Sequence, residues 1–137
     1  MRFMRVVVPL SMLLGSCGCG SSAPPPFVPA QGTLVDAAGK PIWGMRVDFW
    51  PEDDPKGYID RYDTIPYCIS SSGGKIDMLL KTKRGVPPGR YRVTVGAIRP
   101  QDKKLIPKRY NTEEETPLQV TIPAEGKTDL LLRLGPS

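Results

Sequence analysis

The chain contains no histidine, and this absence limits the chemistry that it can perform. Ser-His-Asp and Cys-His nucleophilic systems, histidine zinc sites and imidazole general bases are all excluded. Carboxylates remain as candidate acids, bases or metal ligands, but no pair of them stands in a recognisable catalytic motif. We therefore expect a protein that is not an enzyme and needs no cofactor, because a fold alone supplies no chemistry.

One segment, 52–63, is rich in carboxylates. Its acidic residues are Glu52, Asp53, Asp54, Asp60 and Asp63. Hard oxygen ligands suit Ca²⁺, so the alternatives to a purely adhesive protein are a calcium-dependent binding module and a carboxylate-based hydrolase. The spacing matches no calcium loop, and the flanking prolines, Pro51 and Pro55, favour an exposed surface loop. We expect a solvated loop without a metal.

Aromatic residues are concentrated in the same third of the chain. They are Trp43, Trp50, Tyr58, Tyr62 and Tyr67. Exposed rings on a β-domain can stack on sugar faces, but rings of these types are also ordinary components of a sandwich core. Strand alternation directs Trp50 away from the expected core, so we expect it to be partly exposed. Trp50, Tyr58 and Tyr62 are the candidate glycan contacts.

A basic stretch lies further along the chain. It comprises Arg99, Lys103, Lys104, Lys108 and Arg109. Such a stretch could meet anionic polysaccharide or lipid headgroups, although acidic neighbours dilute its charge. We expect a solvated loop that Ile106 and Tyr110 attach to the domain.

The N-terminus has the layout of a secretory signal. Arg2 and Arg5 precede an apolar run, residues 6–14, that is much shorter than the roughly 20 residues of a transmembrane helix. The run ends in Leu14-Gly15-Ser16-Cys17, which resembles the bacterial lipoprotein cleavage motif. The resemblance implies acyl chains on Cys17, cleavage before it, and a membrane-anchored protein of the cell envelope. The export signal favours the outer membrane or the periplasmic face over the cytoplasm. Gly18 follows Cys17 in place of the Asp associated with inner-membrane retention, which favours the outer membrane.

These features divide the chain into a signal peptide (residues 1–16), a lipidated cysteine with a Gly/Ser/Pro-rich tether (17–29) and one domain (30–137). Removal of Arg2 and Arg5 lowers the net charge from +5 to +3. So small an excess does not predict a nucleic-acid partner. Cys68, in a predicted strand, is expected to be a buried free thiol, and a disulfide with Cys19 is the alternative.

Period-two alternation recurs from residue 31 onward, most clearly in 45–49, 91–95 and 118–122. Such alternation places one set of side chains in a core and the other in water. With turn-rich segments between them, about seven short strands fit the domain. The sequence therefore predicts an all-β fold, a single seven-strand antiparallel sandwich.

Several short motifs occur in the order found in one known family. They are Gly32-x-Leu34, Gly39-Lys40-Pro41-Ile42, Gly44-x-x-Val47-x-Phe49-x-Pro51, Pro88-Gly89-x-Tyr91-x-Val93-x-Val95, Ile106-Pro107-x-x-Tyr110 and Thr116-Pro117-Leu118-x-Val120. In this order they resemble the carboxypeptidase regulatory-like (transthyretin-like) domain, in a version frequent in planctomycete lipoproteins. The family's Thr-Asp-x-x-Gly-x-Phe turn is degraded here to residues 70–76. The resemblance implies an immunoglobulin/transthyretin-like sandwich.

Together these observations predict a non-enzymatic, lipid-anchored module of the cell envelope. Its expected role is structural or adhesive. Its expected partners are the membrane, through the N-terminal lipid, and either an envelope protein or a polysaccharide.

Overall fold

A computed structural model of the protein describes residues 26–135. The predicted signal peptide, Cys17, Cys19 and most of the predicted tether lie outside the described residues. The elements in chain order are β1 (Ala30–Val35), β2 (Met45–Pro51), α1 (Pro55–Tyr62), β3 (Tyr67–Ile69), β4 (Lys75–Asp77), β5 (Leu79–Leu80), β6 (Lys83–Arg84), β7 (Gly89–Ala97), β8 (Gln119–Ile122) and β9 (Lys127–Arg133). Within the described part, no helix has the length and apolar character needed to cross a membrane.

The strands form two sheets that share one core. The smaller sheet has the order β4-β1-β9, and the larger has the order β6-β5-β3-β2-β7-β8. The two sheets enclose a single cluster of buried apolar side chains. The all-β, sandwich-like architecture expected from the sequence is therefore present.

The predicted alternation is confirmed in the central strands of the larger sheet. β2 and β7 pair antiparallel, with Val47 opposite Val95 and Phe49 opposite Val93. All four of these side chains are fully buried. Tyr91, Leu132 and Leu134 are also buried, whereas Val120, on an edge strand, is only partly buried.

Thr94 faces away from the core, as predicted, and yet it is buried. The neighbouring Trp50 explains this, because its indole Nε1 donates a hydrogen bond of 2.9 Å to the Thr94 hydroxyl oxygen. Trp50 itself is half-buried, as the sequence predicted. The outer face of the larger sheet therefore has a local covered region around this indole.

The sheet arrangement corrects two sequence-based expectations. The described residues contain nine strands rather than seven, because the two-residue strands β5 and β6 add to the longer ones. The fold is also not wholly antiparallel. β1 and β9 pair in parallel, with Gly32 opposite Leu130 and Leu34 opposite Leu132.

The acidic segment is a helix rather than the predicted loop. Asp54 caps α1 by accepting a hydrogen bond of 3.2 Å from the backbone N–H of Gly57. Pro55 occupies the first turn, where its fixed φ is favourable and its missing N–H has no cost. The helix ends at Asp63, whose backbone is left-handed and whose N–H bonds to the carbonyl of Ile59.

The topology gives the domain two distinct ends. The described chain begins at the proximal end, where Val28 exchanges two backbone hydrogen bonds of 2.9 Å with Val86. β1 then runs for six residues, about 20 Å, to the distal end. The distal end consists of the loop 36–44, before β2, and of the segment 98–105, after β7. These two segments lie at the same end because the first residue of β2, Met45, pairs with the last residue of β7, Ala97.

Gly32 tests the parallel pairing of β1 with β9. A Cβ on Gly32 would overlap the carbonyl oxygen of Leu130, so Gly32→Ala should lower the free energy of unfolding by about 1–3 kcal/mol. Gly96 is the matched control, because a Cβ there meets nothing within 4 Å. Gly96→Ala should be neutral or slightly stabilising, by up to about 1 kcal/mol. Urea denaturation compares the two variants, and equal effects would contradict the close approach of the strands.

Candidate functional site

The first two carboxylates of the acidic segment are paired with arginines. Arg92 donates from Nε to Glu52 over 3.2 Å, and Gln119 donates to the same carboxylate oxygen over 3.0 Å. Arg90 donates from Nη2 to Asp53 over 2.7 Å. This hydrogen bond lowers the pKa of the exposed Asp53 carboxyl. Both carboxylates therefore connect the end of β2 to β7 and β8.

The remaining carboxylates of the segment point to separate places. Asp54 caps the helix, and Asp63 lies 3.4 Å from the ammonium group of Lys81. Asp60 is exposed on the helix surface. Among the described residues, no group of three or more acidic or cysteine side chains is arranged to hold a metal ion. Four of the five carboxylates thus have separate partners, and Asp60 is exposed.

A groove runs between α1 and the outer face of the larger sheet. Its floor is apolar, with Trp50 from β2 and Ile59 from α1, and Lys56, Asp60 and Glu113 line its rim. The groove has a volume of about 380 Å³. We call it the Trp50 groove. Its apolar floor and charged rim suit a ligand that has an apolar face and polar edges.

Tyr58 and Tyr62, the other two candidate glycan contacts, lie apart from Trp50. They are one helical turn apart, and their rings are in tilted contact with a centroid distance of 4.8 Å. The Tyr58 hydroxyl is 3.2 Å from that of the core residue Tyr91, which donates to the carbonyl of Pro87. Burial raises the pKa of Tyr58 strongly and that of Tyr91 to about 12, so both remain protonated at neutral pH.

The three candidate contacts therefore do not form one platform. Trp50 lies on the outer face of β2, whereas Tyr58 contacts Tyr91, which points to the inner face of β7. Tyr62 also packs against Phe27, with ring centroids 5.8 Å apart, where the described chain begins. Of the predicted set, Trp50 is the one that lines the groove.

The basic stretch is attached to the domain as the sequence predicted. Ile106 and Tyr110 are buried in the core. Arg99 donates from Nε to Asp102 over 2.7 Å, whereas Lys103 and Lys104 are exposed. The segment forms short 3₁₀ turns rather than an irregular loop, the first of them Pro100–Leu105.

Trp43 is an exposed aromatic residue at the distal end that is not among the candidate glycan contacts predicted from the sequence. Its side chain is 57% exposed, and the guanidinium carbon of Arg99 lies 4.7 Å from its ring centroid. Leu105, which lines the same shallow pocket, is 58% exposed. One sequence signal was present: Trp43 stands in a turn between Pro41 and Gly44, where no strand alternation would bury it.

Cys68 is a buried free thiol on β3, as expected. Burial raises its pKa to about 11, so the reactive thiolate form is suppressed at neutral pH. Cys19, its alternative disulfide partner, lies outside the described residues.

Asp48, on the outer face of β2, is the carboxylate with the clearest burial penalty. Burial raises the pKa of its carboxyl, and the hydrogen bond from Arg46, whose Nε lies 3.1 Å away, opposes this effect without cancelling it. Arg46 also lies over the ring of Tyr67, 4.7 Å from its centroid. This ladder of side chains spans β2 and β3 beside the Trp50 groove.

The chain was compared with known protein families, curated proteins and solved structures. No protein-family model, no curated protein and no solved structure matches the chain.

The raised pKa of Asp48 predicts that replacing this residue with Asn increases the stability of the fold in a pH-dependent way. A raised folded-state pKa means that the folded protein holds the proton more tightly than the unfolded chain does. The resulting stabilisation is complete below the unfolded pKa of 3.8 and is lost as pH rises through the folded pKa. At pH 7, the free energy of unfolding of Asp48→Asn should therefore equal or exceed that of the wild type. The increase should be less than about 1 kcal/mol, because solvent screens the partly exposed carboxylate.

Urea midpoints at neutral pH and below the unfolded pKa check this expectation. The gain should vanish under acid conditions, where both side chains are neutral. Asp129→Asn, at a carboxylate whose side chain is 83% exposed, is the control and should change little at either pH. A marked loss of stability for Asp48→Asn at pH 7 would show that the attraction of Arg46 outweighs burial.

Proposed function

We propose that the chain is a non-enzymatic, lipid-anchored module of the bacterial cell envelope that binds a glycan in the Trp50 groove. Its role is adhesive or structural. The observation that carries the proposal is the partly exposed indole of Trp50, held by its hydrogen bond to Thr94 and flanked by the apolar Ile59.

The fold family belongs to the same proposal. Two sheets around one core, with β2 and β7 at the centre of the larger sheet, are compatible with an immunoglobulin/transthyretin-like sandwich. The motif order along the sequence supports the carboxypeptidase regulatory-like domain in particular. Such domains need no catalytic group of their own. Accordingly, the proposal assigns none, since Glu52 and Asp53 are committed to arginines.

The position of the first described residues, at the proximal end, supports the anchored arrangement. Val28 and Phe27 pack at the proximal end, so a tether attached to Cys17 would reach the domain there. The bulk of the sandwich would then project away from the membrane. In this arrangement the protein faces the periplasm or the space outside the outer membrane.

The Trp50 groove supports a sugar ligand through its geometry. An indole whose edge is fixed presents its face at little cost in entropy, and the apolar face of a pyranose can stack on it. The charged rim, with Lys56, Asp60 and Glu113, offers donors and acceptors for the hydroxyl groups. An envelope protein that inserts an apolar side chain is the other partner that this groove would accept.

Substitution of Trp50 tests the groove. Trp50→Ala should reduce retention of the protein on isolated bacterial cell-wall polysaccharide at least tenfold. It should also lower the free energy of unfolding by about 2 kcal/mol, because a half-buried ring and one hydrogen bond are lost. Trp43→Ala, at the other tryptophan, is the matched control and should leave retention unchanged. Retention that persists in folded Trp50→Ala would refute the groove as the glycan site.

Expression in a bacterial host tests the anchor. The wild-type chain should fractionate with membranes at the mass of residues 17–137 plus lipid. Two or three acyl chains anchor stably, because each buried methylene contributes about 0.8 kcal/mol. Cys17→Ser removes the acceptor thiol, so this variant should carry no acyl chain and remain uncleaved. A soluble, unacylated wild type, or normal processing of Cys17→Ser, would refute the lipoprotein assignment.

A further inference from the structure

Large apolar side chains are exposed at the distal end of the domain. Trp43 is 57% exposed, Leu105 58% and Ile98 49%. Trp43 and Leu105 come from two segments distant in sequence but line one shallow pocket together with Pro41. Exposed apolar residues that converge from separate loops indicate a surface that meets another apolar medium.

Basic side chains accompany these apolar residues. The segments 36–43 and 98–109 contain six basic and two acidic residues, a net charge of +4. Both acidic residues are engaged locally: Asp102 accepts from Arg99, and Asp36 accepts from the backbone N–H groups of Ala38 and Lys40. Among the described residues, none of the ion pairs involves Lys103 or Lys104. Beyond these segments, Glu115 lines a pocket with Lys103.

We propose that the distal end, with Trp43 and Leu105 as its apolar tip and Lys103 and Lys104 beside it, binds the surface of a membrane that contains anionic lipids. Tryptophan favours the interface between headgroups and acyl chains, and Leu105 adds buried apolar area there. The lysines remain at the level of the lipid phosphates. Each contributes attraction that depends on anionic lipid and is screened by salt.

The contacts of Trp43 favour lipid over a soluble acidic polysaccharide. The Arg99 guanidinium lies 4.7 Å from the ring centroid and therefore covers one face of the indole. The other ring face remains open, but a sugar also needs groups beside it that bond its hydroxyls. The aliphatic side chains of Leu105 and Ile98 supply none, whereas a lipid interface accepts them directly.

This site is separate from the proposed anchor and from the Trp50 groove. The anchor would join the domain at the proximal end, about 20 Å away along β1. A protein held in one membrane could therefore touch a second membrane, or another region of the same one, with its distal end. Lipid binding at the distal end depends neither on the proposed lipid anchor nor on glycan binding in the Trp50 groove.

Fluorescence of single-tryptophan variants tests the proposal in the full chain. Trp50→Phe leaves Trp43 as the only tryptophan, and Trp43→Phe leaves only Trp50. Each variant is mixed with vesicles of phosphatidylcholine alone or of phosphatidylcholine with phosphatidylglycerol, both with brominated acyl chains. Trp43 emission should shift to the blue and be quenched only with phosphatidylglycerol. Trp50 emission should not change, although the same N-terminal segment is present.

Charge substitutions complete the test. Lys103→Gln together with Lys104→Gln should weaken the quenching interaction about 25-fold, or about fivefold for each charge removed. Leu105→Ser should weaken it without unfolding the domain, because Leu105 is exposed. Equal quenching of Trp43 by both vesicle types, or none by either, would overturn the proposal. It would also be overturned if soluble heparin shifted Trp43 emission while the vesicles did not.

Discussion

The parallel pairing of β1 with β9 holds the two sheets in their arrangement. It joins the first and last strands of the described chain, so it closes the longest loop in the domain and carries the largest entropic cost of any strand pairing here. Side chains on β1 and β9, among them Leu34, Leu132 and Leu130, then complete the core against the larger sheet. The close approach of the two backbones depends on Gly32, where any side chain would meet Leu130. Both strands run from the proximal to the distal end of the domain.

The sequence was informative where a strand has one buried face. In β2 and β7 alternation identified which side chains enter the core, because a wrong register would place Phe49 and Val93 in water. It could not identify the neighbour of each strand, since alternation specifies a face and not a partner. The parallel β1–β9 pair was missed for this reason. The helix α1 was missed because it is short and has no fully buried residue, so its apolar pattern is weak. Its clearest signal lay in the Asp54-Pro55 cap.

Some residues of the candidate binding surfaces could likewise be predicted from the sequence, and others could not. Trp50 could be predicted because it lies on a strand, where its neighbours fix its direction. Tyr58 and Tyr62 could not, because their shared face depends on helical spacing that the assumed loop does not have. Trp43 and Leu105 lie outside strands and helices of regular period, so only the folded chain brings them together. Residues that converge from loops are the part of a binding surface that sequence periodicity cannot reveal.

The two ends of the domain differ in how their charges are used. At the proximal end, acidic residues of 52–63 are matched by Arg90, Arg92 and Lys81. Such exposed pairs contribute little to stability, so their main effect is to cancel charge locally. At the distal end, the exposed Lys103 and Lys104 are in none of the ion pairs of the described residues, so their charge is available to an anionic partner.

β2 links these ends physically. Trp43 precedes it and Trp50 lies near its end, and Val47 and Phe49 between them are fully buried. A strand packed in this way holds the two surfaces at a nearly fixed separation, because interiors of native density resist small deformations. Ligands at the groove and at the distal end would therefore influence one another mainly through effective concentration rather than through a change of shape. Such geometry would let two weak contacts act together as one stable attachment.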